Sequence, residues 1–226
     1  MDLWLSRPLH LFFCDARWFN GSERTQGTEE LIGRRCQLRS NKGGISLDTA
    51  THALIGLIVG EMAPKDIKHR RLIGVGFGVL PDITNVVLVH PYLGWLAGRD
   101  IPFAVGIDFV NHPQILDHWT YHVWLLSHSL LFWAIVFLPL WRRSRAAKLS
   151  AVAYLSHVLA DIPSHSGAYG LEPFYPIAYI FDGWFDAWLW GPIPIAASIL
   201  TTAGLYLLVR RARMSLLWPS ERTPSS

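Results

Sequence analysis

From Leu47 onward this chain alternates long apolar runs with short basic clusters, and the runs approach the length that a bilayer span requires. Five segments are candidate spanning helices, at about 47–63, 71–90, 119–141, 147–162 and 192–209. A span needs roughly 20 apolar residues and about 17 at the least, so the first and fourth are short and need shelter from their neighbours. Only 16% of the 226 residues are charged, against about 25% in ordinary soluble domains. The expected fold is therefore all-α: a polytopic bundle of about five transmembrane helices rather than a soluble globule.

The charges predict an orientation. "KDIKHRR" follows the first segment, "WRRSRAAK" joins the third to the fourth, and "RRAR" follows the fifth. In a five-helix bundle all three clusters fall on one side, which the positive-inside rule makes cytoplasmic. The opposite side collects Trp95, Trp119, Tyr121, Tyr169, Tyr175, Tyr179, Trp184, Trp188 and Trp190, an aromatic belt at the other interface. The expected location is a bacterial inner membrane, with the N-terminal part outside and the C-terminus in the cytoplasm. The net charge of +3 is thus explained by topology. The bilayer is the expected partner, nucleic acid is not, and no motif names a protein partner.

Three regions follow: a polar, Arg-rich extension over 1–45, a membrane-embedded domain over 46–213, and a short polar tail over 214–226. Cys14 and Cys36, both in the extension, make neither a zinc motif nor a disulfide framework. The start lacks the apolar core and small-residue cleavage site of a signal peptide. The extension reads as a poorly ordered tail or as the product of an upstream start codon. The second is favoured, because "LDTATHALIG" from Leu47 is a natural beginning for the first helix.

Ionisable residues inside spans are costly, about 2.5–3.5 kcal/mol for a charge at mid-membrane, and usually face a bundle interior with a function. The first segment carries His52, the second Asp82, the third His122 and His128, and the fourth His157 and Asp161. At about 1.5 Å per residue, Asp82 and His128 lie roughly 12 and 13 Å below the outer ends of their helices. His52, His157 and Asp161 are shallower but in the same half, although the helices run alternately up and down. His157 and Asp161 are four apart, so they share a helix face. Asp82 follows Pro81, which frees backbone groups and opens space within a span. Neutral imidazoles with carboxylates and a vacant position for water are the usual ligands of a catalytic zinc. His52 alone reads equally well as a helix–helix hydrogen bond, and the His157–Asp161 pair alone could be an i,i+4 structural contact. The whole set at one level points to a metal site. His69 and His90 read as loop residues, and His112, Asp108, Asp117 and His118 as solvated ones.

Four motifs in order, "THALIG", "LPD", "SHSLLF" and "HVLADIPSHSGAYGLEPFYPI", resemble those of the YdjM-like membrane-bound metal-dependent hydrolases, over roughly Leu47 to Tyr179. The last motif is also similar to the His-x-x-x-Asp element of zinc-dependent phospholipase C. The resemblance implies a metal site of His52, Asp82, His128, His157 and Asp161, with His165 and His122 as further candidates. Two departures count against a second metal and a phosphate-clamping arginine. Thr84 stands where the family often has a second acid, and "HVWLLSHS" lacks the family's His-Arg-Gly element.

The expected function is an integral membrane hydrolase with a divalent metal, most simply zinc, near the outer leaflet. Metal-activated water would attack an ester or phosphoester, plausibly of a lipid, with His157 and Asp161 catalytic and Asp161 a ligand or the general base. Two other classes remain open: a proton- or metal-ion-coupled transporter, and a scaffold whose buried polar cluster only fixes helix packing. Transport predicts polar residues along the whole depth of the membrane, and the inner half offers few. Haem is disfavoured by the carboxylates, which suit a harder metal.

Overall fold

The computed structural model describes residues 48–166, 170–187 and 190–215, and they are helical with no strand longer than an isolated bridge. The extension, both cysteines, Tyr169, Trp188 and most of the C-terminal tail lie outside the described residues. Helix α1 is Asp48–Met62 and α2 is Arg70–Thr84, which continues through a π turn, Asn85–Val89, into α3, His90–Leu96. A short α4, Gly106–Asn111, and a 3-10 turn, Pro113–Asp117, lead to α5, Trp119–Ser127, and α6, Leu130–Phe137. Then come α7, Arg145–Asp161, and α8, Pro192–Ser215.

All five expected helical segments exist, with three differences. The second runs on as one 27-residue rod, Arg70–Leu96, because the π turn widens the helix without ending it. The third is broken: α5 and α6 meet at 63°. The break is a fresh helix start, where the Ser129 hydroxyl accepts from the N–H groups of Leu131 and Phe132. The fifth runs to Ser215, past the expected end near 209, since "RRAR" consists of good helix formers. By length and composition two helices can cross a membrane, or three if the bent pair is one span. Helix α1, with 15 residues, is shorter than a span, α7, with 17, is at the minimum, and both are more buried than α8.

Helix α1 sits centrally, against α2, α7 and α8, while α2 also packs on α7 and α5. The α1–α2 approach needs glycine. A Cβ on Gly56 would overlap the Gly74 carbonyl, and one on Gly74 would overlap the Gly56 carbonyl. Gly60 and Gly78 also lie too close to the backbone of the facing helix for a Cβ, though less tightly. Such small-residue contacts let helices pack closely where lipid provides no hydrophobic drive.

The three basic clusters do meet at one end. Arg145 at the start of α7 pairs with Asp66 in the α1–α2 join at 2.6 Å. Arg213 at the end of α8 donates to the Ala63 carbonyl, also 2.6 Å away. At the opposite end, Val89, Leu93, Phe109, Ile115, Tyr121, Trp124 and Leu171 form the largest apolar core. Two residues, one expected in a loop and one expected to be solvated, belong to this cap. His90 is buried and its Nδ1–H donates to the Ala104 carbonyl, while buried Asp108 takes two hydrogen bonds from Arg99. Long-range partners, invisible to local pattern, bury both.

Candidate metal centre

Helix α7 presents His157 and Asp161 one turn apart on its buried face. Helix α1 brings His52, α2 brings Asp82, and the α5–α6 break brings His128. The structure therefore gathers all five residues, and none is more than 8% exposed. His157 Nε2 stands 2.9 Å from Asp161 Oδ2, 3.2 Å from His128 Nε2 and 3.6 Å from Asp82 Oδ1. His128 Nε2 is 3.3 Å from Asp161 Oδ2 and 4.0 Å from Asp82 Oδ1. His52 Nε2 lies 2.8 Å from Asp161 Oδ1, and its ring lies over that of His157 at 3.8 Å.

Local backbone chemistry holds these side chains. His157 Nδ1 is 2.6 Å from the Gly78 carbonyl, and His128 Nδ1 is 2.9 Å from the Trp124 carbonyl. A carbonyl only accepts, so each Nδ1 carries a proton, and in the neutral imidazole Nε2 then offers a lone pair. Histidines that ligate metals are oriented in this way, the far nitrogen donating to a carbonyl or carboxylate. Pro81 has no N–H to give its helix, and its carbonyl instead accepts from the hydroxyls of Thr84 at 2.7 Å and Ser127 at 3.4 Å. The π turn begins three residues after Asp82, a distortion common at functional sites.

Acceptors outnumber donors at the centre. With neutral imidazoles, two lone-pair nitrogens and two carboxylates converge in a buried interior. Asp82 Oδ2 is buried with no hydrogen-bond partner. Asp161 Oδ1 makes none either, despite lying 2.8 Å from His52 Nε2, because the approach is not along a donor direction. A proton between the two Nε2 atoms would relieve part of this, but two protons would set like charges 3.2 Å apart. A divalent cation cancels both carboxylates and receives every lone pair.

The spacing agrees. Donors around a tetrahedral zinc with bonds of about 2.0–2.1 Å stand about 3.3–3.4 Å apart, and the contacts above run from 2.8 to 4.0 Å. Two triads, His52–Asp82–His157 and His128–His157–Asp161, each bring three ligand atoms within 4.8 Å of one another. They share His157, whose Nδ1 is already engaged, so its single lone pair can serve only one ion. The triads are therefore parts of one site. Buried His and Asp side chains here can hold a metal ion.

The two lesser candidates part company. His165 is buried next to the site, its Nδ1 3.1 Å from the Asp161 carbonyl and its ring near Trp124, but it belongs to neither triad. His122 is exposed, with its ring 6.1 Å from that of Tyr175, and the structure does not bring it to the cluster. Sequence reasoning missed the supporting shell: Ser127, Trp124, Tyr154 and the Gly78 carbonyl. Tyr154 donates to the Ser127 carbonyl at 2.6 Å and pins the break that carries His128. Its signal was position, one turn before His157 on the same face.

Compared with known proteins, residues 47–222 match the family model described as YdjM inner membrane protein. No curated protein and no solved structure matches the chain.

Proposed function

Because this chain belongs to the YdjM inner membrane protein family, we propose that it is a membrane-embedded hydrolase that holds one divalent cation and cleaves an ester or phosphoester of a lipid. The observation that carries the reading is the excess of buried acceptors at the five-residue centre, with the far nitrogens of His128 and His157 tied to carbonyls. His52, Asp82, His128 and His157 would hold the ion, with Asp161 as a further ligand or the base. A metal there, zinc by this donor set, would supply Lewis-acid polarisation and bring the ionisation of water near neutral pH.

The chain's own residues do the rest. The Gly78 and Trp124 carbonyls hold the two imidazoles with Nε2 inward, so no reorganisation is needed on binding. Asp161 Oδ1 has no hydrogen bond of its own and is in place to accept a proton from water. Asp82 is the most exposed of the five, at 8%, and neighbouring Leu80, Ile83 and Leu126 face outward from the bundle. That flank suits a substrate arriving sideways from the bilayer. Trp95, Trp119, Ile177 and Trp184, exposed around the cap, are the side chains expected of a surface lying among lipid headgroups.

The test is metal analysis of detergent-purified protein, followed by hydrolysis of phospholipids in mixed micelles. About one zinc per chain, with lipid cleavage lost in Asp161→Asn, is the expected result. A folded wild type without stoichiometric metal, or cleavage that survives in Asp161→Asn, would sink the reading.

A further inference from the structure

The far end of the broken helix carries a second feature, unrelated to the metal centre. A groove of about 380 Å³, open on one side, is lined by Trp133, Leu138, Trp141 and Arg142. It lies near the end of α6, about 15 Å along the chain axis from His128 at the rise of a helix. Trp133 forms a fixed wall, since its indole N–H donates to the Ala151 carbonyl of α7 at 2.9 Å. Leu138 is 56% exposed, and so offers apolar surface with no protein against it.

Arg142 also lines the groove. It is exposed, and no ion pair engages it among the described residues. Its neighbour Arg145, by contrast, is held by Asp66 at 2.6 Å. The groove also opens at the end where the joins bearing Lys65, Lys68, Arg143 and Lys148 meet, tied together by the Arg145–Asp66 and Arg213–Ala63 contacts. An indole pair, an aliphatic floor and a free guanidinium at a membrane-facing end form an amphipathic site. Indoles prefer the headgroup level of a bilayer. Guanidinium is the side chain best shaped to grip a phosphate.

We propose that this groove binds one anionic phospholipid, its phosphate on Arg142 and the upper part of one acyl chain against Trp133, Leu138 and Trp141. The groove is shallow and open, so a lipid would rest against it with one face while the remainder stays in the bilayer. Charge complementarity selects anionic over zwitterionic lipid, because a zwitterionic headgroup would set its own cation beside the basic joins. The site would anchor the α6–α7 join to the leaflet at the basic end.

The full chain can be reconstituted in phosphatidylcholine nanodiscs containing a minority of phosphatidylglycerol, then extracted gently and its bound lipid counted by native mass spectrometry. Wild type should retain phosphatidylglycerol in preference to phosphatidylcholine. Arg142→Gln should lower that retention about fivefold, the worth of one basic side chain at an anionic surface, and Trp141→Leu should lower it as well. Arg145→Gln should leave it unchanged, since that guanidinium is already engaged. Metal content equal to wild type in every variant shows that the fold, and the separate metal centre, are intact. Equal retention by wild type and Arg142→Gln would overturn the proposal. So would an equal loss in Arg145→Gln, which would mean a diffuse basic surface. A dimer dissociated by Trp141→Leu with lipid retention unchanged would overturn it too, and would assign the groove to a second copy of the chain.

Discussion

Two clusters of buried ionisable groups sit on the same helix pair, α1 and α2, and they are built in opposite ways. Near the basic end, Glu61 of α1 is buried between Arg70 at 3.2 Å and Arg71, two guanidinium groups for one carboxylate. Donors there exceed acceptors, and the carboxylate is fully engaged by side chains of the protein itself. About two turns away, His52 of α1 faces Asp161 and lies over His157, and the centre has acceptors in surplus with two carboxylate oxygens lacking hydrogen bonds. In the first cluster both carboxylate oxygens are met by guanidinium groups of the protein. The second is electrostatically incomplete, because burying two carboxylates against lone-pair nitrogens costs far more than any contact within it returns. Burial of charge alone therefore does not mark a candidate metal site; a surplus of buried acceptors does.

The sharpest way to break this contrast is to change one acceptor without changing its shape. Asp161→Asn keeps volume and helix packing but removes a charge and adds an N–H donor. Metal affinity should fall by at least about 100-fold, beyond the 10–100-fold typical of losing a supporting hydrogen bond, as read by metal content after dialysis. In metal-free protein the same change should raise stability or leave it level, because the new donor faces lone pairs. A centre that served only to pack helices would give the opposite: no metal in wild type, and a less stable variant.

Chelation tests the same imbalance without mutation. Removing a metal present at about 1,000 times its dissociation constant withdraws about 4 kcal/mol from the folded state. A chelator should therefore lower the thermal midpoint of wild type by several degrees and leave that of Asp161→Asn almost unmoved. Equal sensitivity of the two proteins would remove the metal from the account.

At the other cluster the expectation reverses. Glu61→Gln leaves Arg70 and Arg71 without their carboxylate. Arg71 is 46% exposed and water can reach it, so the loss should be about 1–3 kcal/mol, the cost of a partly buried charged hydrogen bond. Metal content should stay at the wild-type level. A drop in metal content would mean that the two clusters are coupled through α1, and the contrast between them would fail.

How far these features can be read in sequence depends on the range of the interactions that create them. The five clustered residues were legible as candidates because each lies in an apolar run where an ionisable group is conspicuous, and because His157 and Asp161 show their shared face by spacing. The break at His128 was not, since hydropathy treats "WLLSHSLLF" as one continuous run and does not register that Ser129 caps a new helix. Glu61 was overlooked in its apolar segment, although the two arginines nine and ten residues later were the available hint. His90, which reads as a loop residue, and Asp108, which reads as solvated, are buried because Ala104 and Arg99, which pair with them, reach them only once the cap has folded. His165 and His122 looked alike as candidates, yet only His165 comes within hydrogen-bond reach of a site residue, through the Asp161 carbonyl.

The finest test concerns how the incomplete cluster is held open. Four backbone or hydroxyl contacts keep His128 facing inward: the Trp124 carbonyl, the Ser127 hydroxyl, the Thr84 hydroxyl behind it, and Tyr154 on the Ser127 carbonyl. Tyr154 is the one that α7 contributes, so it ties the break in one helix to the helix that carries His157 and Asp161. Tyr154→Phe removes only that hydroxyl. Stability should fall by about 1 kcal/mol, the net worth of one hydrogen bond, and metal affinity by about tenfold, the lower bound for a supporting contact. A purely structural tyrosine would lower the thermal midpoint of metal-free and metal-loaded protein by the same amount. A positioning tyrosine lowers the loaded form more, because part of its effect is exerted through His128. The difference between those two shifts, measured on one variant, tells whether the α5–α6 break is a packing accident or the device that keeps a donor-poor centre ready for its cation.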